Sequence, residues 1–247
     1  REDNSYGYFR MSSGSVFAGR ILMGGTSANS AWKGRGIVRI TGGEVKATEY
    51  IIMGRNTGSE CVWTMDGGIV RHTSGAQFAL AFTGGRSELN RTGGIIDNSN
   101  QKVTIQERTG SGTGIVNVCS GTLRLASLEN TMSGTAFLNF CGGTLIPSAN
   151  STVFVPANMT GVYTYSAFGA YAGGAVIDSN GKNIAIPAAI RAPDGQGVYA
   201  ISLANAGSGY IGEPYVSIEG TNGIGATAVA NMVDDGTGNG TYQVGSV

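Results

Sequence analysis

Between residues 9 and 176 the chain repeats one short phrase seven times: an apolar residue, a spacer, an apolar residue, a small or polar residue, then a glycine pair or serine-glycine and another apolar residue. The copies are FRMSSGSV (9–16), VRITGGEV (38–45), WTMDGGIV (63–70), LNRTGGII (89–96), VNVCSGTL (116–123), LNFCGGTL (138–145) and, more loosely, GAYAGGAV (169–176). The second small residue is Gly14, Gly43, Gly68, Gly94, Gly121, Gly143 or Gly174, at intervals of 29, 25, 26, 27, 22 and 31 residues. Such intervals suit one coil of a solenoid and are too short for a domain.

The columns of this alignment identify the unit as β. Two places after each glycine stand Val16, Val45, Val70, Ile96, Leu123, Leu145 and Val176; three places before it stand Met11, Ile40, Met65, Arg91, Val118, Phe140 and Tyr171. Before the glycine the apolar spacing is two, the period of a strand. A second strand is predicted in RILMGG (20–25), YIIMGR (50–55), QFALAF (77–82) and KVTIQE (102–107), with Met23 and Met53 in matching core places. Glycine at 42 of 247 residues disfavours a helical solenoid, because each glycine costs a helix about 1 kcal/mol relative to alanine. The fold class expected is all-β, a parallel β-helix over 1–195 with a small β module at 196–247.

The phrase loosens after residue 146, and four of the five prolines fall between 147 and 193. Segment 147–195 is therefore expected to be irregular and to cap the coil, as an open sheet end requires. Beyond it, strands are predicted at 198–204, 215–219 and 225–231, joined by glycine-rich turns.

Polar columns add detail. Asn90, Asn117 and Asn139 stand four places before their glycines in successive coils, where stacked amides can bond from coil to coil. Arg10 and Arg39 share that column, which suits an outward face. Cys119 and Cys141 each lie two places before a glycine and stack about 4.8 Å apart. That spacing admits a disulfide, while parallel side chains rarely give good dihedrals, so a bridge and a stacked pair of small residues both stay open. Cys61 has no evident partner.

Candidate chemistry is sparse. The chain carries 16 basic and 16 acidic residues, which gives no footprint for nucleic acid, and no run of eighteen apolar residues spans a bilayer. Glycosidases need two carboxyl groups facing one cleft, whereas Glu44, Asp66 and Asp97 come one per coil and occupy different columns. Asp66 with Arg71 or His72 is the nearest approach to a lyase site. The one histidine and the absence of CxxC spacing argue against zinc. No cofactor is expected; the weak exception is calcium at Asp234, Asp235 and Asn239 in DDGTGNG, whose oxygens suit a hard cation but which lacks the distal bidentate glutamate. Tyr163 and Tyr165, near Phe168 and Tyr171, are candidate glycan contacts, because tyrosine offers a ring face and a hydroxyl.

Phrases such as RILMGG and GIVRITGGEVKATEYIIMGRNTGSE resemble the passenger β-helix repeats of autotransporter-like bacterial surface proteins, well over 9–146 and weakly over 147–176. GSGY (207–210), EPYVSI (213–218) and GIGATAVA (223–230) resemble a tandem β-repeat of large bacterial surface proteins and phage tail proteins. The resemblance implies a right-handed coil, a location outside the cell or on its surface, and a longer secreted precursor; the opening REDNSYGYF also reads as a piece of one. The leading functional expectation is a non-enzymatic structural protein of a cell-surface fibre, sheath or surface layer. It would self-associate head-to-tail or laterally, with surface polysaccharide as a further partner. The alternatives are a glycan- or host-binding adhesin passenger, a polysaccharide lyase or glycosidase of β-helix type, and a phage tail fibre. Specificity would sit in loops such as 26–35 and 56–60.

Overall fold

The computed structural model describes residues 5–25, 33–73, 75–99, 101–108, 111–166, 172–194, 197–198, 200–220 and 223–247. Within these, each glycine phrase becomes a corner between two strands, and most coils add a third. The first coil holds β1 (Ser5–Met11), β2 (Ser15–Ala18) and β3 (Ile21–Leu22). The second holds β4 (Gly34–Ile40), β5 (Glu44–Ala47) and β6 (Ile51–Ile52). The third holds β7 (Ser59–Met65), β8 (Ile69–His72) and β9 (Phe78–Ala79), and the fourth β10 (Gly85–Arg91), β11 (Ile95–Asn98) and β12 (Val103–Gln106). The fifth holds β13 (Thr113–Val118), β14 (Thr122–Leu125) and β15 (Leu128–Asn130). Then follow β16 (Thr135–Phe140) with β17 (Thr144–Pro147), β18 (Gly161–Thr164) with β19 (Val176–Ile177), and β20 (Ile190–Arg191).

Equivalent strands of successive coils pair in parallel, giving three sheets of eight, seven and five strands. The molecule is a parallel β-helix of about seven turns. Its core is the stack of inward columns: Met11, Ile40, Met65, Val118 and Phe140 in the first sheet, and Val45, Val70, Ile96, Leu123 and Leu145 in the second, are all buried. Met23 and Met53 are buried in the same core, as their matching places imply.

The corner glycine answers two constraints at once. Gly43, Gly68 and Gly94 have φ of +81°, +73° and +65°, a region closed to most side chains. A Cβ on Gly43 would stand 2.6 Å from the Gly14 carbonyl oxygen, and one on Gly68 2.7 Å from that of Gly43. In the sixth phrase the positive φ moves to Gly142 (+118°), and Gly143, assigned the corner by alignment, does not carry it.

The seventh phrase is displaced. The first-sheet strand of that coil is β18, whose Thr164 pairs with Phe140, and Leu145 pairs with Ile177. Val176, aligned above with Leu145, pairs instead with Thr144 and is exposed. Residues inserted between β18 and β19 shift the register by one, which in a strand exchanges the two faces. Tyr171 and Phe168 lie outside the described residues. Segment 147–193 keeps winding: buried Phe154 accepts from the Leu128 N–H and donates to the Ala185 carbonyl.

The chain divides into two compact units, Arg1–Pro193 and Asp194–Val247. In the second, the regular strands among the described residues are β21 (Asn231–Asp234) and β22 (Tyr242–Ser246), an antiparallel pair with a bridge from Tyr210 to Tyr242. Among the described residues no strand forms in the expected segments 198–204 and 215–219, and of the one expected at 225–231 only Asn231, the first residue of β21, is in a strand. Val198, Ile201 and Ile224 are exposed there, so apolar alternation in this unit does not mark a buried face.

Candidate functional site

The predicted polar column is a hydrogen-bonded ladder. Asn117 Nδ2 donates to Asn90 Oδ1 at 2.7 Å, and Asn139 Nδ2 donates to Asn117 Oδ1 at 2.7 Å. All three amides are buried, and the column runs on through Thr64 and Arg39 below and Tyr163 and Arg191 above. Of the two readings for the cysteines, the structure shows the bridge: Cys119 and Cys141 form a disulfide with a Cα separation of 4.1 Å. Cys61 is free and buried, and burial pushes its thiol up to about 12.

The turn acids are held in ion pairs. Arg71 Nε lies 2.8 Å from Glu44 Oε1, and its Nη1 3.5 Å from Asp97 Oδ2. Asp66 is bound by Arg39 at 2.8 Å and by the Thr92 hydroxyl. Arg71 therefore links Glu44 and Asp97 across coils and does not pair with Asp66. His72 is buried, its Nδ1 2.6 Å from Asn98 Oδ1 and its Nε2 2.5 Å from the Glu49 carbonyl. Asn98 Nδ2 donates to the carbonyls of Gln101 and Lys102, which fixes the amide with its oxygen toward the ring.

Tyr163 packs 6.2 Å from Phe137 at ring centroids, with the Arg191 guanidinium 5.5 Å from its ring. Tyr165 lies just past β18, half-buried, and burial and then Tyr163 push its hydroxyl pKa up. In the DDGTGNG loop, Asp234 Oδ1 accepts from the Gly236 N–H at 2.7 Å. Asp235 accepts from the Thr237 hydroxyl and N–H and from the Gly209 N–H. Chiefly the Thr237 hydroxyl, then Thr241 and the Thr237 N–H, holds the Asp235 carboxyl well below the usual range. The Asn239 N–H donates to the Thr237 hydroxyl. These carboxylates cap their own turns, and no cluster of three metal-ligating side chains occurs among the described residues.

Two features were not read as sites from the sequence, although the alignment already placed Arg91 in the column of Met65 and Val118. Arg91 occupies the inward column between Met65 and Val118 and is fully buried. Its Nη2 donates to the Gly94 carbonyl at 2.8 Å and its Nη1 lies 3.3 Å from Met65 Sδ, with no carboxylate paired to it among the described residues. Burial pushes this guanidinium down to about 9, so it stays charged at neutral pH. The second is a cleft of about 270 Å³ on the outer side of the third sheet, where Arg55 and Arg108 flank Phe82. Arginines next to the second-strand phrases were visible, but nothing placed them on one face.

The first coil opens on a cavity of about 500 Å³ lined by Phe9, Val16, Ile21, Met23 and Trp63 among others. Phe9 begins an inward column that continues through Val38, Trp63, Leu89, Val116, Leu138 and Val162 to Ile190. The interior members are buried, whereas Phe9 is 39% exposed and Ile190 38%. No protein-family model matches the chain, and neither a curated protein nor a solved structure matches it. Among the described residues no helix is long and apolar enough to cross a membrane.

Proposed function

We propose that the chain is a non-enzymatic structural protein working outside the cell, a β-helix unit that adds end to end to a second copy in a fibre, sheath or surface layer. The observation that carries this is the pair Phe9 and Ile190. They are the two ends of one core column, and each exposes an apolar side chain that every interior coil buries. The strands that bear them, β1 and β20, are the two edges of the same parallel sheet. As the two edge strands of one parallel sheet, β20 and β1 run in the same direction, so one copy can extend the ladder of the next. That contact is heterologous and need not close. The Cys119–Cys141 disulfide supports an oxidising location.

Light scattering over a concentration series tests the proposal. Mass should grow with concentration in the native protein and stay at one chain in Phe9→Glu, which puts a charge in the open mouth; concentration-independent mass in both would contradict it.

A further inference from the structure

The outer side of the third sheet carries a feature that end-to-end assembly does not use. Within the strands, Ile51 and Phe78 point inward, whereas Ile52 and Ala79 form a separate outer apolar cluster with Leu22 and Tyr50. Period-two alternation would turn Phe82 inward with Leu80. Phe82 instead joins the outer cluster, because Ala81 takes φ of +43°. Non-glycine residues adopt that region at a cost, and such outliers gather at functional sites.

Phe82 is then held between guanidinium groups from the coils on either side. Arg55 Cζ lies 4.8 Å from its ring centroid and Arg108 Cζ 4.9 Å. Arg20, over Tyr50 at 5.5 Å, completes the cationic rim. Arg20 is paired with Glu49 at 2.5 Å, and Glu107 accepts from Gln77. Arg55 and Arg108 have no carboxylate paired to them among the described residues, and Arg55 Nε is buried without a partner. Burial first, then the Arg108 and Arg20 cations, pushes the Arg55 pKa down, a strain that a bound anion would relieve.

We infer that this cleft binds an anionic polysaccharide, one acidic sugar unit seated on the apolar floor with its carboxylate or sulfate on Arg55 and the next acidic group on Arg108. Guanidinium forks match both anions in a two-bond geometry. Two coils separate the arginines, about 9.6 Å at the parallel-strand spacing, which suits acidic groups repeating along a chain of sugar rings. The cleft volume admits one ring. Glu49 and Glu107 beside it disfavour the continuous negative charge of a nucleic acid backbone, and the chain has no net positive charge.

The test is affinity for polygalacturonate, dextran sulfate, neutral dextran and a single-stranded oligonucleotide at low salt. The full chain is compared with Arg55→Gln, Arg55→Lys, Arg108→Gln and the remote control Lys182→Gln, with melting checked for each. Saturable binding to polygalacturonate or dextran sulfate is expected, and the stronger of the two identifies the anion. It should fall about tenfold or more in each Gln variant, less in Arg55→Lys, and not at all in Lys182→Gln. Arg108 is exposed, so Arg108→Gln decides the matter if Arg55→Gln fails to fold. Equal binding to neutral dextran, equal or tighter binding to the oligonucleotide, equal loss in Lys182→Gln, no loss in the folded Gln variants, or no binding to either acidic polymer would each overturn the inference.

Discussion

Arg55 lies with its guanidinium carbon 4.8 Å from the centre of the Phe82 ring, and the contact exists because the residue before the phenylalanine is wound left-handed. Ala81 occupies the place that Gly24 and Gly54 hold in the two preceding coils, all three with positive φ. Ala81→Gly should therefore stabilise the protein, by about 1 kcal/mol, while leaving the ring in place. Denaturant titration checks this; a loss of stability would mean that the alanine methyl contributes more in packing than its backbone costs.

The amide ladder is a second test. Asn117 both donates and accepts within the stack, so Asn117→Ala leaves two buried amides short of a partner and should cost about 2–3 kcal/mol. Asn183→Ala, at an exposed position whose φ is not left-handed, provides the comparison. Equal midpoints for the two variants would show that the ladder adds nothing.

The disulfide closes a loop with a sequence separation of 22, for which reduction should cost about 3 kcal/mol. Cys61 should behave differently. Its thiol, pushed up to about 12, should resist alkylation at pH 8 in the native state and react only on unfolding. Mass spectrometry would show no adduct on the native oxidised protein, one on the unfolded oxidised protein and three after reduction.

Arg91 gives a pH-dependent prediction. Its folded pKa, about 9, lies below the ordinary guanidinium value, so the unfolded chain binds the proton more tightly. The penalty for burying the cation is full below pH 9 and is relieved as pH rises above 9 toward the ordinary guanidinium range. Arg91→Met, similar in volume and uncharged, should raise stability at pH 7 by about 1–3 kcal/mol, and the gap from the native protein should narrow above pH 9. A gap that widens with pH, or a destabilised variant, would contradict the assignment.

The repeat was legible because both of its constraints leave marks in composition: a corner that demands glycine, and inward columns that demand apolar residues. Met65, Val118 and Phe140 fall where the spacing places them. Arg91 does not fit that logic, and the column alone gave no sign that a charged residue would be tolerated inside. At the seventh coil the glycine pair Gly173-Gly174 marks a real left-handed bend. The insertion before it nevertheless moves the core position from Val176 to Ile177, a one-residue change that a loose alignment cannot resolve. The cleft was illegible for a sharper reason. Phe82 ends a run, QFALAF, that alternates as a strand, but β9 stops at Ala79, and one alanine torsion sends the ring to the other face. In the second unit the strands failed because alternation indicates which side a residue would face in a sheet, and supplies no neighbouring strand.

The central claim is that the two ends of one core column meet between copies. Cryo-electron microscopy of the concentrated protein tests it most directly. The account predicts ordered filaments or a lattice in which the coil bearing Ile190 of one copy sits on Phe9 of the next; isolated particles at every concentration, with Phe9 open to solvent, would contradict it.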